Sequence, residues 1–408
     1  MKHNSEHRPH LLVLTSTFPR WEHDPEPAFV YELSRRLTAD FEITVLAPRS
    51  PGAKEQEAMA GMRVVRFPYF FRSRENLATH SGGIMGRLRV NPLNYLLVPF
   101  FLLGQLWALA RLLRRERFDI IHAHWIIPQG LMAALALILT RNSTPLLCTS
   151  HGGDLYGLQG RIFARLKLWV LNRSQAITVV SQAMKDKLVN MGVASGKIQV
   201  ISMGVDLQGT FVPDLDKARD PHELLFVGRL VGKKGLDVLL QALPIVLESQ
   251  PEVRLIVAGS GPLEPKLRKQ AQALGIEGKV SFLGMLPQSE LPGLYQRAAM
   301  AVFPFITAET GDQEGLSLVI MEAMGCACPI MVSDLPAIKD TIQHEETGMI
   351  SPVGIPQTLA QSIIKSIHEP DRLKRMATKA RQLAVKKYDW NVVTEKYLRW
   401  IQTAISKE

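Results

Sequence analysis

ELLFVGRLVGKKGLDVLLQALPIVLES, residues 223–249, sets a strand pattern directly before a helix pattern. ELLFVGRL is a short apolar run of strand length. GLDVLLQALPIVLES carries its apolar residues at helical spacing. The same alternation continues on both sides of this stretch. Downstream, VRLIVAG, VSFLG, MAVFPF and CPIMVSD read as strands separated by helical runs. Upstream, LLVLTST, FEITVLAP, RVVRFPYF, DIIHAHW, PLLCTSH and AITVVS read as strands, and FVYELSRRL as an amphipathic helix. Strand–helix alternation over such a length predicts α/β architecture, with parallel sheets covered by helices on both faces.

The chain has 408 residues, enough for two such sheets. A boundary is expected in the polar stretch MGVDLQGTFVPDLDKARDPHE (203–223), which precedes a fresh strand. The predicted fold is two doubly wound Rossmann-like domains facing across a cleft. The first domain is 1–205 together with a returning helix in 390–408, and the second is 206–389. Ligands in open parallel sheets bind beyond the carboxyl ends of the strands, so the cleft is the expected site.

Hydrophobic residues make up 46% and charged residues 21%, as in ordinary soluble proteins. Three cysteines (Cys148, Cys326, Cys328) are too few and odd in number for a disulfide framework, so a reducing compartment is expected. Cys326-x-Cys328 has no second Cys/His pair at matching spacing, and it reads as two small buried residues. His122 and His124 would share one face of a strand. No third metal ligand stands at a matching spacing. The apolar run LLVL after the polar start is too short for the core of a signal peptide, so none is expected.

The net charge of +10 lies wholly in the first half: residues 1–208 hold 25 Lys+Arg against 15 Asp+Glu, and residues 209–408 hold 23 of each. That asymmetry suggests an anionic partner for the first half, such as a membrane surface. Nucleic acid is disfavoured, because the arginines are dispersed and no known binding module is visible. RFPYFFRSR (66–74) interleaves aromatics with Arg66, Arg72 and Arg74 and reads as a strand end plus loop, or as a membrane or acceptor-docking patch. Tyr95–Ala110 is sixteen residues without charge. A membrane span needs about twenty, so a buried or interfacial helix is expected there.

EGLSLVIMEAMG (314–325) places Glu314 and Glu322 eight residues apart in a nearly all-apolar run. A helix apolar on every side is buried, and a buried carboxylate needs partners. Eight helical residues rise roughly 12 Å, beyond the about 5–9.5 Å that separates the carboxylates of glycosidases. The spacing suits a grip on two hydroxyl-bearing parts of one long ligand. Main-chain N–H groups at Gly315, Leu316 and Ser317 would favour its anionic part.

This stretch resembles the E-x7-E signature of the family-4 retaining glycosyltransferases, which have the two-domain GT-B fold. HAHW (122–125), SHGGDLYG (150–157), VISMGVD (200–206), FVGRLVGKKGLDVLLQA (226–242), AGSGP (258–262), FLGML (282–286) and ETGMISP (346–352) fall in the family's order. The resemblance covers nearly the whole chain and implies roles position by position. Arg229 and Lys234, beside Gly228, match the basic pair that holds the donor pyrophosphate and stabilises its departure. Glu322 matches the carboxylate on the ribose hydroxyls. Glu314, with Gly315, Leu316 and Ser317, matches the contact to the transferred sugar. His151 matches the histidine near the sugar's C6 hydroxyl, with Asp154 and Tyr156 supporting its loop. Met285 matches the position whose backbone meets the nucleotide base.

Two departures stand out. TFPRWEHDPEPAFV (17–30) lacks glycine where many relatives have a Gly-rich loop, and Ala28 stands where some carry Gly. Ala327 replaces a usual glycine in GCACP, with only a packing change expected.

The resemblance implies a retaining hexosyltransferase that works without a metal or other cofactor. Its donor would be a nucleotide diphosphate sugar, a UDP-sugar before a GDP-sugar. The expected acceptor is a lipid-linked or other glycan of polysaccharide biosynthesis. The enzyme is expected to be peripheral on the cytoplasmic face of the cell membrane, with domain closure assembling the site. Rival readings are a nucleotide-sugar epimerase or phosphorylase on the same fold, and a non-catalytic nucleotide-sugar-binding subunit at the membrane. The motif set argues against the first. The intact His151, Arg229, Lys234 and Glu314 argue against the second.

Overall fold

The computed structural model describes residues 8–21, 24, 29–78, 83–214, 216–308, 314, 316–336 and 338–406. The chain divides into two compact units. The first contains Met1–Val180, Met184–Ile201 and Thr394–Glu408, and the second contains Ser181–Ala183 and Ser202–Val393.

The first unit is built on eight strands: β1 (His10–Leu14), β2 (Glu42–Pro48), β3 (Gln56–Met59), β4 (Met62–Phe67), β5 (Ile120–His124), β6 (Leu146–Ser150), β7 (Ala176–Val179) and β8 (Ile198–Val200). Their order in the sheet is β3-β4-β2-β1-β5-β6-β7-β8. All neighbours are parallel except β3 against β4, which is antiparallel. The central strands are buried on both faces and therefore read as unbroken apolar runs. The helix Leu97–Arg115 packs its inner side on this sheet: Phe101, Leu109 and Leu113 share a core with Leu12, Leu46 and Phe67.

The second unit holds β9 (Asp220–Val227), β10 (Arg254–Ala258), β11 (Val280–Gly284), β12 (Ala298–Phe303), β13 (Ile330–Ser333) and β14 (Met349–Ser351), in the order β11-β10-β9-β12-β13-β14. All pairings are parallel. Alternate residues feed opposite cores. Leu225, Val227, Ile256, Ala301 and Phe303 pack on one side, and Leu224, Phe226, Leu255, Val257, Met300 and Val302 on the other. Both units are thus doubly wound, as the alternation predicts.

The described residues of the boundary stretch are anchored by side chains at both ends. The Asp206 carboxylate accepts from the main-chain N–H of Gly209 and Thr210. The Arg219 guanidinium donates to four carbonyls, those of Tyr295, Ala298, Cys326 and Ala327, at 2.5–3.0 Å. Ala327 has φ +48°. The substitution expected to alter packing alone therefore puts a Cβ in the left-handed region, which explains why glycine suits that position. Cys148, Cys326 and Cys328 are free and buried.

Arg66 corrects the basic-patch reading. Its side chain is buried, donating to the carbonyl of Pro19 and pairing with Glu57 at 3.1 Å. It supports the edge of the sheet and presents no charge to a partner. Arg72 and Arg74 are exposed, with Arg72 4.0 Å from Glu55.

Candidate active site

In the second unit the strand order reverses at β9, whose two sheet neighbours are β10 and β12. Gly228 and Arg229 leave the carboxyl end of β9, the position where open sheets of this type bind ligands. Gly228 N–H donates to Ala258 O and Leu230 N–H to Ser260 O, each at 3.0 Å. A Cβ on Gly259 would lie 2.0 Å from Gly228 O, and one on Gly261 2.4 Å from Leu230 O. The AGSGP motif is therefore what lets two loops run main chain against main chain. Arg229 is half-buried on this interlock.

Lys234 ends the 3-10 turn Gly232–Lys234. Its Nζ lies 2.7 Å from Glu314 Oε2 and 4.6 Å from the centre of the Phe305 ring. Burial alone would raise the Glu314 carboxyl. The charges of Lys234 and Lys233 outweigh that and hold it below the usual carboxylate value. Among the described residues Glu314 Oε2 has this ion-pair partner but no aligned hydrogen-bond donor, and the buried Ser317 Oγ has no partner either. The buried Ser317 hydroxyl, without a hydrogen-bond partner among the described residues, suits contact with a hydroxyl-rich ligand.

The helix begins at Leu318 and ends at Gly325, three residues later than the sequence reading places its start. Leu316 and Ser317 belong to the extended approach to it, with Ser317 at φ −111°, ψ 112°. The uniform helical rise between the two glutamates therefore does not hold. Gly315 and Ala28 lie outside the described residues. Glu322 sits on the helix, buried, and accepts from Tyr295 Oη at 3.1 Å. Burial pushes its carboxyl up to about 7, against the lowering effect of hydrogen bonds from Tyr295 and Gln288. Met285 is exposed just after β11, whose last carbonyl, on Gly284, accepts from Gly259 N–H at 2.7 Å.

In the first unit His151 follows β6 at its carboxyl end. Its Nε2 lies 3.0 Å from Nδ1 of His124, the last residue of β5. His122 is bonded to Thr149 Oγ1 at 2.7 Å, and its ring lies 4.1 Å from that of His124. Burial holds His122 and His151 down at about 3 and keeps His124 well below its ordinary value, so all three are neutral at physiological pH. Asp154 accepts from Ser150 Oγ at 2.8 Å and from Ile126 N–H at 2.7 Å, tying the loop after β6 to the loop after β5. Tyr156 is buried, with Lys187 Nζ 4.5 Å from its ring centre.

Sequence reasoning missed three partners. Tyr295 carries no motif. Arg219 lies in the polar stretch expected to hold the domain boundary and matches no motif. His124 stands in the family motif HAHW and at metal-pair spacing, and neither feature points to its contact with His151. Among the described residues no group of three His, Cys, Asp or Glu is placed to hold a metal ion.

A basic turn, two buried carboxylates and a main-chain loop gathered beyond one sheet's carboxyl ends define a site for a polyanionic, hydroxyl-bearing ligand. Two family models cover most of the chain: "Glycosyltransferase Family 4" matches residues 28–208 and "Glycosyl transferases group 1" matches residues 209–383. The chain belongs to the family-4 glycosyltransferases, with the GT-B fold. It is 25% identical over 397 residues to the GDP-mannose-dependent alpha-(1-6)-phosphatidylinositol monomannoside mannosyltransferase of Mycolicibacterium smegmatis, covering 93% of this chain and 95% of that one. It is 27% identical over 287 residues to glycogen synthase of Mycobacterium tuberculosis, covering 69% and 67% of the two chains. Among solved structures, sucrose-phosphate synthase from Thermosynechococcus elongatus superposes with a TM-score of 0.77 at 18% identity, over 98% of this chain and all (100%) of that one. The Anabaena protein HepE in complex with UDP gives 0.72 at 17% identity, over 97% and 100%.

Proposed function

We propose that the protein is a retaining, metal-independent glycosyltransferase that moves a hexosyl group from a UDP-sugar to a lipid-linked or other glycan acceptor, working peripherally at the cytoplasmic face of the cell membrane. The observation that carries the reading is the Lys234–Glu314 ion pair, whose glutamate lies three residues before the buried Ser317 at the start of the helix that bears Glu322.

In this reading Arg229 and Lys234 hold the pyrophosphate, and their fixed charge stabilises the departing diphosphate in place of a metal. Glu322 accepts from the ribose hydroxyls and Glu314 from those of the sugar. The acceptor oxygen bonds to the anomeric carbon as the carbon–oxygen bond to phosphate breaks. The acceptor proton passes to the departing phosphate oxygen on the same face, so the anomeric configuration is kept. His151 acts as a neutral hydrogen-bond partner of the sugar. The base contact is made by main chain at Gly284 and Met285. UDP is preferred because HepE, a protein of like fold, is described with UDP bound. The mycobacterial relative's name makes GDP-mannose the competing donor. The excess positive charge of the first half supports an anionic membrane and acceptor.

A thermal-shift panel of UDP-, GDP- and ADP-sugars without added metal tests the donor site, because a ligand that binds only the folded state raises Tm. A UDP-sugar should raise Tm for the wild type and not for Glu322→Ala. No shift with any of the three would overturn the reading. The anomeric configuration of the product, read by NMR, tests retention.

A further inference from the structure

We infer that the helix running from Pro92 to Arg115 is an interfacial docking element whose outer stripe lies in the headgroup region of an anionic bilayer. The inference deepens the membrane-facing part of the proposed function and does not depend on the identity of the donor.

The segment is 24 residues long and apolar enough by length and composition to cross a membrane. Its packing rules that out for the folded unit. Phe101 meets the rings of Phe67 and Tyr69 edge-on, with centroids 5.4 and 5.2 Å apart. At Gly104 a Cβ would lie 2.5 Å from the carbonyl oxygen of Pro68, so the helix backbone rests directly on the loop after β4. Leaving the unit to span a bilayer would strip Phe101, Leu109 and Leu113 from the core they share with Leu12 and Phe67.

Among the described residues the opposite side has no such core partner. Leu96, Phe100, Leu103 and Trp107 recur at spacings of three and four, one exposed line along the helix. Phe70 joins this line to the loop before it, its ring 5.2 Å from Phe100 and 5.0 Å from the exposed Phe71. Phe71, Leu96, Leu103 and Trp107 are 58–74% exposed. A contiguous apolar strip of this kind marks an interaction surface.

Its surroundings select a lipid surface as the partner. The line continues past Trp107 into the exposed Arg111, Arg114 and Arg115, with the Arg111 guanidinium 5.3 Å from the Trp107 ring centre. Arg72 and Arg74 flank the strip beside Phe71. Acids of the flanking segments are engaged: Glu55 and Glu75 both pair with Arg49, and Glu116 with Arg63. Apolar and aromatic residues bordered by arginines match the boundary between acyl chains and anionic headgroups.

The test is flotation of the full chain, without donor or acceptor, on neutral phosphatidylcholine vesicles and on vesicles containing phosphatidylglycerol. The wild type should float with the anionic vesicles and detach at high salt. Phe100→Ser/Trp107→Ser should weaken binding by about tenfold or more. Arg111→Gln/Arg114→Gln should weaken it by about fivefold per arginine. Both variants alter exposed side chains only, and both should keep the wild-type melting temperature and nucleotide-sugar shift.

Equal flotation of wild type and variants would overturn the proposal. So would equal binding to neutral vesicles. Resistance to alkaline carbonate extraction would show a spanning helix instead. Self-association abolished by Phe100→Ser/Trp107→Ser would show that a second copy covers the strip. Vesicle binding without any nucleotide-sugar shift would sink the donor reading and leave this one standing.

Discussion

Lys234 and Glu314, eighty residues apart in sequence, meet as a buried ion pair with Nζ 2.7 Å from Oε2. Each is a counter-charge to the other. Lys234→Met should therefore do two things. Turnover should fall by about 100- to 1000-fold, through loss of charge stabilisation of the leaving group. The ligand-free protein should also lose about 3 kcal/mol of stability, because Glu314 stays buried without its cation. Adding Glu314→Gln should restore most of the stability and none of the activity. Denaturant titrations of the two single variants and the double variant measure this coupling.

His124 and His151 meet edge to edge, their ring planes 12° apart and nitrogens 3.0 Å apart. Nε2 of His124 is buried without a partner among the described residues. An orphaned buried N–H is rarer than an orphaned lone pair, so the His124 proton belongs on Nδ1, donated to His151 Nε2. His151 then carries its own proton on Nδ1. Imidazole ¹⁵N spectra should show that tautomer for His151. His124→Phe should abolish it and lower kcat by about 100-fold through misplacement of the ring, while the melting temperature changes little.

Glu322 and the histidines impose opposite pH dependences. Glu322 titrates near 7 when folded and at the ordinary 4.5 when unfolded. Between those values the folded state holds the extra proton, so this carboxyl removes stability as pH rises from 4.5 to 7. Glu322→Gln should raise stability at pH 8 by about 3 kcal/mol and at pH 5 by less than about 1 kcal/mol, while losing the nucleotide-sugar shift. His122 and His151 titrate near 3 when folded against 6.5 unfolded, so their contribution is complete above 6.5 and is lost on acidification. Hydrogen exchange at pH 5 and 7.5 should show β5 and β6 losing protection in acid while the helix Leu318–Gly325 gains it.

Ala327 sits at φ +48°, and the neighbouring carbonyls are gripped by Arg219. Ala327→Gly should stabilise the protein by about 0.5 kcal/mol, as relief of left-handed strain exceeds the added chain entropy. Arg219→Met should cost about 3 kcal/mol, since buried carbonyls lose charged donors. Thermal unfolding of the two variants gives both numbers.

Strands buried on both faces announce themselves as apolar runs, which is why β1, β2, β5 and β9 could be read directly. β3, β8 and β14 were missed: each is three or four residues long, and β3 (QEAM) has no apolar run. The motifs that mark the family were legible because they stand in a fixed order along the chain. Their partners were not. Arg66 looks like part of a basic surface, but its environment depends on Glu57 and on a carbonyl from a distant loop, which no local pattern records. The start of the helix before Glu322 was placed too early because the apolar run continues smoothly through Leu316 and gives no break.

The interlock of Gly228–Leu230 with Gly259–Gly261 is held by backbone bonds and has no room for a methyl group at Gly259 or Gly261. Its shape is therefore invisible to side-chain variation: most point changes either miss it or break it. Descendants of this chain would change ligand preference through residues outside that frame, while the frame itself stays frozen.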